Sequence, residues 1–377
     1  MPEPISAELR QLLTLHLVPG LGPRLTAALL ARFGSAEAIL RAAPEELQAV
    51  PHIGPKLAQD FHRAIREADV QAETALIAQH GVRLLALGGA GYPAPLVRIP
   101  DPPPLLYVKG SLEPQDAKAV ALVGSRQCTT YGRRMVERLA TGLVHAGFTI
   151  VSGLARGIDG AAHRAALQAG GRTIAVLAGG LAGIYPPEHA ELAEQILGSG
   201  ALLSESPMGF EPMAAMFPAR NRIISGLARA VVIVEAAERS GALITASHAA
   251  EQGREVFAVP GPADSLASAG ALKLLRHGAR LVRSADDILE DLEGIAPLVA
   301  PATSLSSAEE AAPSKEPPPG LDDTQRSIWD FLVEQPQHVD DLARQLGLAI
   351  PDLARALMML EMKRIVRRLP GNRYERC

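Results

Sequence analysis

Residues 151–163 read Val151-Ser-Gly-Leu-Ala-Arg-Gly-Ile-Asp-Gly-Ala-Ala-His163, and this stretch decides how the middle of the chain is interpreted. An apolar strand ends on Ser152 and Gly153, and a helix begins after Gly157. The start of a helix offers unpaired N–H groups and the positive end of the helix dipole, and glycine lets an anion come close to the backbone. Arg156 adds a permanently charged guanidinium. The stretch therefore predicts a phosphate-binding turn, with a plain strand-to-helix turn as the alternative.

Apolar runs separated by helical patterns continue on both sides of this stretch. They cover residues 119–126, 172–180, 201–205, 231–235 and 255–261. Nearly continuous apolar strands that alternate with amphipathic helices are typical of a parallel sheet covered on both faces. The pattern predicts an α/β fold with a doubly wound, mainly parallel sheet that ends near residue 293.

In such a fold, ligands bind beyond the carboxyl ends of the strands, where loops and helix starts converge. Small, polar and basic residues occupy the matching positions of this chain. They are Gly124, Ser125 and Arg126 after the first strand, Ser152, Gly153, Arg156 and Gly157 after the second, Arg220, Asn221 and Arg222 in the helix before a later strand, and Ser240, Gly241 and Thr245 after that strand. Gly179 and Gly180 follow the third strand and add another glycine-lined seat. We expect one edge of the sheet to carry several arginines and several glycine-lined anion seats, that is, positions where backbone N–H groups can bind an anion.

A bound dinucleotide explains this spread of seats poorly. The usual fingerprint is G-x-G-x-x-G, followed about twenty residues later by an acidic residue that binds ribose. Here Gly124 is followed by Ser-Arg-Gln-Cys-Thr, and Val144 stands where the acid is sought. The pattern favours a polyanion laid along the sheet edge, and no cofactor is expected.

The ordered set of motifs resembles the DNA-processing protein A family, also called Smf. The set consists of Val-Gly-Ser-Arg126 with Tyr131-Gly132, Ser-Gly-Leu-Ala-Arg-Gly-Ile-Asp159, Tyr185-Pro186, Phe-Pro-Ala-Arg-Asn-Arg222, Ser-Gly-Ala-Leu-Ile-Thr245 and Ala-Val-Pro-Gly261. The resemblance implies an extended Rossmann-like domain that binds single-stranded DNA, protects incoming strands during natural transformation and helps load the RecA recombinase. It also implies a homodimer formed through this domain. One position departs from the resemblance: Ala219 stands between Pro218 and Arg220, where a longer or charged residue is expected from related chains.

Two smaller modules flank the core. Residues 17–25 and 50–57 repeat a glycine turn followed by a helix and resemble SAM-like helix-hairpin-helix units. They predict either a phosphate contact or a purely structural helical bundle. Beyond residue 320, three helical patterns and a hairpin predict a winged helix. The predicted organisation is a helical domain at 1–75, the extended Rossmann-like domain at 76–293, a flexible linker at 294–320 and the winged helix at 321–377.

Composition limits the class of protein. The 377 residues carry 37 Lys and Arg against 41 Asp and Glu, a net charge of −4, so any binding of nucleic acid must be local. Two cysteines exclude a disulfide framework, and no leader or apolar segment of membrane-spanning length is apparent, so a cytoplasmic protein without a membrane partner is expected. No cluster of metal-ligating residues is apparent. Aromatic residues make up only 3%, which leaves Tyr131 and Phe217 as possible base-stacking platforms.

Two other functions compete with that of a binding protein. A nucleotide N-glycoside hydrolase needs a catalytic Glu shortly after the glycine-rich loop, but His248 stands at the third position after Thr245. Asp159 and His163 are four residues apart, which permits contact on one helix face but shows no third catalytic group. A transcription factor that recognises duplex DNA through its winged helix needs several polar side chains on the helix that contacts the bases. Residues 351–360, which would form this helix, are mostly apolar. We therefore predict no catalytic residues and no enzyme activity.

Overall fold

The computed structural model describes residues 5–293, 321–332, 337–363, 365–369 and 373–376. The predicted linker at 294–320 lies outside these ranges. The chain divides into two compact units, Met1–Ala302 and Thr303–Cys377. No helix within the described ranges has the length and apolar character that a membrane span requires.

A nine-stranded sheet forms the centre of the described part of the first unit. Its strands are β1 (Arg83–Ala86), β2 (Leu105–Gly110), β3 (Ala119–Val123), β4 (Thr149–Ser152), β5 (Thr173–Leu177), β6 (Ala201–Ser204), β7 (Ala230–Ile233), β8 (Glu255–Ala258) and β9 (Arg280–Leu281). Their order is β1-β2-β6-β5-β4-β3-β7-β8-β9. Strands β3 to β9 pair in parallel, whereas β2 pairs antiparallel with β1 and β6.

Helices cover both faces of this sheet, as its continuous apolar strands require. The helices of the first unit are α1 (Ala7–His16), α2 (Pro23–Phe33), α3 (Ala36–Arg41), α4 (Pro44–Leu47), α5 (Pro55–Glu67), α6 (Val70–Gln79), α7 (Ala94–Val97), α8 (Thr130–His145), α9 (Ile158–Gln168), α10 (Ala190–Leu197), α11 (Met216–Leu227), α12 (Ala242–Glu251), α13 (Ala269–Arg276) and α14 (Ala285–Glu293), with 3₁₀ turns at Pro114–Ala117 and Pro187–His189. Helices α7, α11, α12 and α13 pack on one face, and α8, α9 and α14 pack on the other. The predicted doubly wound α/β fold is confirmed, extended by β1 and β2.

The two predicted glycine turns lie among the first six helices, immediately before α2 and α5. Helices α2 and α5 begin at Pro23 and Pro55, and the preceding turns contain Gly20 with φ of 81° and His52 with φ of 70°. The helical region also packs against the sheet. In the buried region between them, the Tyr107 hydroxyl donates a 2.8 Å hydrogen bond to Glu73 Oε1. These helices and the sheet belong to one compact unit. The predicted domain boundary at residue 75 falls inside α6.

The described part of the second unit is a winged helix, as predicted. It consists of α15 (Asp323–Phe331), β10 (Gln337–His338), α16 (Val339–Leu346), α17 (Ile350–Met362), β11 (Val366–Leu369) and β12 (Arg373–Arg376). The three strands pair in the order β10-β12-β11. Its small core contains Ile328, Leu342, Leu353, Leu357 and Val366.

Candidate nucleic-acid interface

A groove of about 510 Å³ opens at the carboxyl edge of the sheet, where the strand order changes direction. From β3 the chain proceeds through β4, β5 and β6 on one side and returns to β7 on the other side. Such a switch point is where open α/β sheets bind ligands. Eight of the predicted site residues line the groove: Gly124, Ser125, Arg126, Arg220, Asn221, Ser240, Gly241 and Thr245.

The loops that follow β3, β4 and β7 hold one another in place. Ser125 N donates a 2.7 Å hydrogen bond to Glu235 O, and Ile158 N donates a 3.1 Å hydrogen bond to Ser125 O. Gly157 lies directly beneath this contact with φ of 74° and ψ of −123°, a conformation that residues with a Cβ rarely adopt. The glycine-rich loop after β4 therefore supports the loop that carries Arg126.

Two exposed arginines provide available positive charge in the groove. Arg126 and Arg239 both line it, and neither forms an ion pair with any residue that the structure describes. The Arg126 guanidinium lies 4.5 Å from the ring centroid of Phe217, a cation–π contact that orients it. Sequence reasoning missed Arg239. Its position immediately before the Ser240-Gly241 turn was the available signal.

Arg220 is a buried positive charge under the groove rather than a mobile phosphate ligand. Its Nη1 donates a 2.6 Å hydrogen bond to Gly153 O and another to Val176 O. Burial lowers the pKa of Arg220 to about 10, and the nearby Asp159 carboxylate opposes that shift. At this pKa the guanidinium remains charged at neutral pH.

The predicted anion seat after β4 is already occupied by a side chain of the protein. Gly153 N donates a 3.2 Å hydrogen bond to Asp159 Oδ2, and the hydroxyl of Ser152 donates to Leu122 O at 2.6 Å. Both residues are buried, and burial raises the pKa of Asp159. Ser152 and Gly153 thus fix the floor of the site and do not present free donors to a ligand.

The glycine pair after β5 is also filled by the chain itself. Gly180 N donates a 2.9 Å hydrogen bond to Phe210 O, so this amide is not free for an anion. A Cβ at Gly179 would lie 2.8 Å from Phe210 O. These glycines are required by the close approach of residues 207–212, and the expectation of an open seat there was wrong.

Arg156 is exposed at the edge of the site but paired. Its Nε donates to Glu188 Oε1, and its guanidinium carbon lies 6.0 Å from the Tyr185 ring centroid. The hydrogen bond to the Glu188 carboxylate raises the pKa of Arg156. A phosphate that binds Arg156 must compete with Glu188. Arg126, Arg156, Tyr185 and Phe217 all border a small cavity that adjoins the groove.

Arg222 does not reach the groove, contrary to the prediction. Its Nη2 donates to both carboxylate oxygens of Glu205, at 2.7 and 2.8 Å, and its Nε lies 3.7 Å from Asp101 Oδ2. The side chain is only 5% exposed. Along helix α11, Arg220 and Arg222 point in different directions, so one faces the groove and the other is buried against acids.

The remaining predicted residues connect α11 to α12. Asn221 Nδ2 donates a 3.3 Å hydrogen bond to Gly241 O, and Ser240 Oγ accepts one of the same length from Ala242 N. Thr245 is 1% exposed within α12. Ser240 and Gly241 therefore form the mouth of the groove, while Thr245 packs beneath it.

The other polar residues noted in the sequence have structural partners. In the described structure, no hydrogen bond joins the side chains of His163 and Asp159. Its Nδ1 lies 2.7 Å from the Thr173 hydroxyl, and burial lowers the pKa of His163 to about 3. The Tyr131 hydroxyl donates a 2.7 Å hydrogen bond to Pro260 O, which fixes that ring. Within the described ranges, no three His, Cys, Asp or Glu side chains are grouped closely enough to hold a metal ion.

Comparison with known proteins agrees with this architecture. The family of DNA recombination-mediator protein A matches residues 83–293, more than half of the chain. The chain belongs to the DprA/Smf family. The DprA winged helix domain matches residues 312–372, and a SAM-like helix-hairpin-helix tandem matches residues 10–67. Both flanking modules predicted from the sequence are therefore confirmed.

Individual relatives of this DprA/Smf chain extend over most of its length. Protein Smf of Synechocystis is 37% identical and covers 95% of this chain and 96% of its own. The X-ray structure of DNA processing protein A from Streptococcus pneumoniae superposes with a TM-score of 0.66 at 36% identity, over 75% of this chain and 97% of that one. DNA processing protein A from Helicobacter pylori, whose structure was described for its single-stranded DNA binding mode, gives a TM-score of 0.51 at 29% identity, over 56% of this chain and 95% of its own.

Proposed function

We propose that this chain binds single-stranded DNA in the groove between β3 and β7 and acts as a recombination mediator without turning over a substrate. The proposal rests on one observation: Arg126 and Arg239 are exposed and have no ion-pair partner among the described residues, and they lie above glycine-rich loops with the buried charge of Arg220 below them. A net charge of −4 makes such local clustering necessary, because the average charge of the molecule repels DNA.

The binding proposal draws on both chemistry and family. Arginine forks and backbone donors hold phosphates without reading base sequence, which suits a protein that must accept any strand. The Helicobacter pylori relative is a single-stranded DNA-binding protein. On the strength of the family we further propose that the chain protects incoming strands during natural transformation, helps load RecA, forms a homodimer through the Rossmann-like domain and acts in the cytoplasm.

A non-catalytic role fits the chemistry of the groove. General acid–base catalysis needs a titratable group within reach of the substrate and with a pKa near the working pH. Asp159 borders the groove, but its carboxylate accepts a hydrogen bond from Gly153 N and faces the buried Arg220 guanidinium, and His163 is buried with its pKa lowered to about 3. These two residues stabilise the loops around the groove, and we propose no hydrolysis of nucleotides by this chain.

The test is a titration of the full chain with labelled oligo-dT at several salt concentrations. Arg126→Ala and Arg239→Ala are each expected to weaken binding and to reduce the slope of log K against log salt by about 0.7 for each phosphate that is no longer neutralised. Arg138→Ala removes the same charge from the exposed side of α8, outside the groove, and serves as the matched control. We expect its slope to equal that of the wild type.

Three results would contradict the proposal. If Arg126→Ala and Arg239→Ala bind like the wild type, the groove is not the site. If Arg138→Ala weakens binding equally, the effect comes from net charge alone. If a duplex of the same length binds more tightly than the single strand, the winged-helix alternative gains support. Incubation with several nucleotides, followed by chromatography, tests the hydrolase alternative directly through the release of free base.

A further inference from the structure

The first glycine turn, immediately before α2, borders a cavity of about 570 Å³ that the function proposed above does not use. The turn contributes Gly20, Gly22, Pro23, Arg24 and Leu25, and the sheet region contributes Asp101, Glu205, Ala215, Pro218, Ala219, Arg222 and His248. We call this space the hairpin cavity. Pro218 also borders the groove, so the two spaces adjoin at the start of α11.

The turn offers backbone donors to the hairpin cavity. Helix α2 begins at Pro23, which has no N–H group, and Gly22 at the N-cap has no side chain that could cap the helix. The N–H groups of Gly22, Arg24 and Leu25 have no hydrogen-bond acceptor among the described residues. Free donors at the positive end of an 11-residue helix favour an anion.

A buried guanidinium on the sheet side of the hairpin cavity is independent evidence for an anion. Arg222 is only 5% exposed, and its Nη1 has no hydrogen-bond partner within the part of the chain that the structure describes. Its other terminal nitrogen donates to Glu205, and its Nε lies 3.7 Å from Asp101 Oδ2. A buried donor without a partner beside a cavity is a group that a bound oxyanion can satisfy.

Arg24 adds an exposed charge that a DNA phosphate can reach. Its side chain is 82% exposed, and its Nη2 lies 3.6 Å from Asp101 Oδ2. An exposed pair at this distance is weak, so a phosphate can replace the carboxylate as the partner of Arg24. Asp101 and Glu205 both border the cavity, but each is also within ion-pair distance of Arg222, which offsets their repulsion of an anion.

The second glycine turn, immediately before α5, lacks this environment. Its backbone is similar, because α5 begins at Pro55 and Gly54 at the N-cap forms no side-chain cap. However, Gly54, Pro55 and Lys56 are exposed, and none of them borders the groove or the hairpin cavity. The sequence predicted either a phosphate contact or a structural role for both turns, and the structure distinguishes the two copies.

We propose that the first glycine turn binds a phosphate of the same DNA strand that occupies the groove, which rests on the function proposed above. The strand continues past Pro218 at the start of α11, and one phosphate is held by the free N–H groups of α2 and by the Arg24 guanidinium. Backbone amides and arginine bind a phosphate without reading the base sequence. The hairpin cavity therefore lengthens the bound strand, whereas the second turn has a structural role.

The test uses the length of the DNA strand. The full chain is titrated with labelled oligo-dT of about 5 and about 20 nucleotides, because surfaces that bind single strands occupy about 4–16 nucleotides. Arg24→Ala is expected to reduce the slope of log K against log salt by about 0.7 with the longer strand, which corresponds to about fivefold weaker binding at about 0.1 M salt. The shorter strand occupies the groove alone and should bind Arg24→Ala like the wild type. Arg24→Lys keeps the charge and should recover the wild-type slope.

Two further variants separate this contact from the net charge. Lys56→Ala removes one positive charge from the equivalent position of the second turn, and we expect wild-type affinity and slope with both strands. Asp101→Asn removes the carboxylate beside Arg24 and is expected to tighten the binding of the longer strand only.

The inference is overturned if Arg24→Ala binds the longer strand with wild-type affinity and slope, or if Lys56→Ala weakens binding as much as Arg24→Ala does. An equal loss with the shorter strand also overturns it, because the effect then does not depend on an extended strand. If the wild type binds neither strand, the proposed function and this inference fail together. If Arg126→Ala weakens binding and Arg24→Ala does not, the groove remains the site and only the extension to the first turn is removed.

Discussion

Gly157→Ala is the substitution that most directly tests whether the glycine-rich loops hold each other. Gly157 has φ of 74° and ψ of −123°. A Cβ at this position would lie 2.7 Å from both C and O of Arg126, and closer still to the carbonyl oxygen of Ser125. The obstacle is backbone rather than a flexible side chain, so the loop that carries Arg126 must move.

The expected loss of stability follows from two costs and one gain. A non-glycine residue in such a backbone conformation costs about 1–3 kcal/mol. Overpacking against fixed atoms costs about 1–3 kcal/mol more. Alanine restricts the unfolded chain and returns about 0.4–1 kcal/mol. The free energy of unfolding of the first unit should therefore fall by about 1–6 kcal/mol, with a central value of about 3 kcal/mol.

Urea unfolding of the full chain, followed by circular dichroism, measures this change, and titration with oligo-dT measures its effect on binding. Gly170→Ala is the matched control, because Gly170 has φ of 73° but no atom within 4 Å of an added Cβ. We expect Gly170→Ala to bind DNA normally and to lose only about 0–1.6 kcal/mol of stability, which is the strain of the left-handed backbone less the same gain from the unfolded chain. If the two variants lose equal stability and both retain full affinity, then Gly157 does not support the Arg126 loop and the reasoning is refuted.

Two further predictions concern the paired arginines. Glu188→Gln frees Arg156 from its exposed partner and is expected to tighten binding of oligo-dT roughly two- to fivefold at low salt, with no gain at about 1 M salt. Equal affinities at low salt would contradict competition between Glu188 and phosphate. Arg222→Ala leaves the Glu205 carboxylate buried without its cation and should lower the free energy of unfolding by about 3–5 kcal/mol in urea titrations. A loss of affinity without any loss of stability would instead place Arg222 in the binding site.

Much of the fold followed from local patterns. The apolar runs of β3, β5 and β7 are buried on both sides, as their composition requires. The glycines after these strands predicted where the chain turns. Strands β1 and β2 were not predicted from the sequence pattern. They form an antiparallel edge of the sheet, and β2 pairs with β6, which is distant in sequence.

The sequence predicted which loops form the site more accurately than it predicted which side chains in them are free to bind a phosphate. Arg220 and Arg222 are two residues apart in one motif, yet one lies under the groove and the other pairs with Glu205. A sequence motif does not show which way each side chain points once α11 packs on the sheet. Arg239 was missed for the same reason, since its exposure depends on neighbours that are remote in sequence.

The sequence by itself determined the alternation of strands and helices, the positions of the glycine turns and the family, because these depend on residue type and spacing along the chain. Only the tertiary structure decided which donors remain free. Asp159 fills the seat at Gly153, Glu188 pairs with Arg156, and Arg126 is left available beside Phe217. Each of these outcomes depends on distances between residues brought together by folding, and electrostatic and hydrogen-bonding energies fall steeply with such distances.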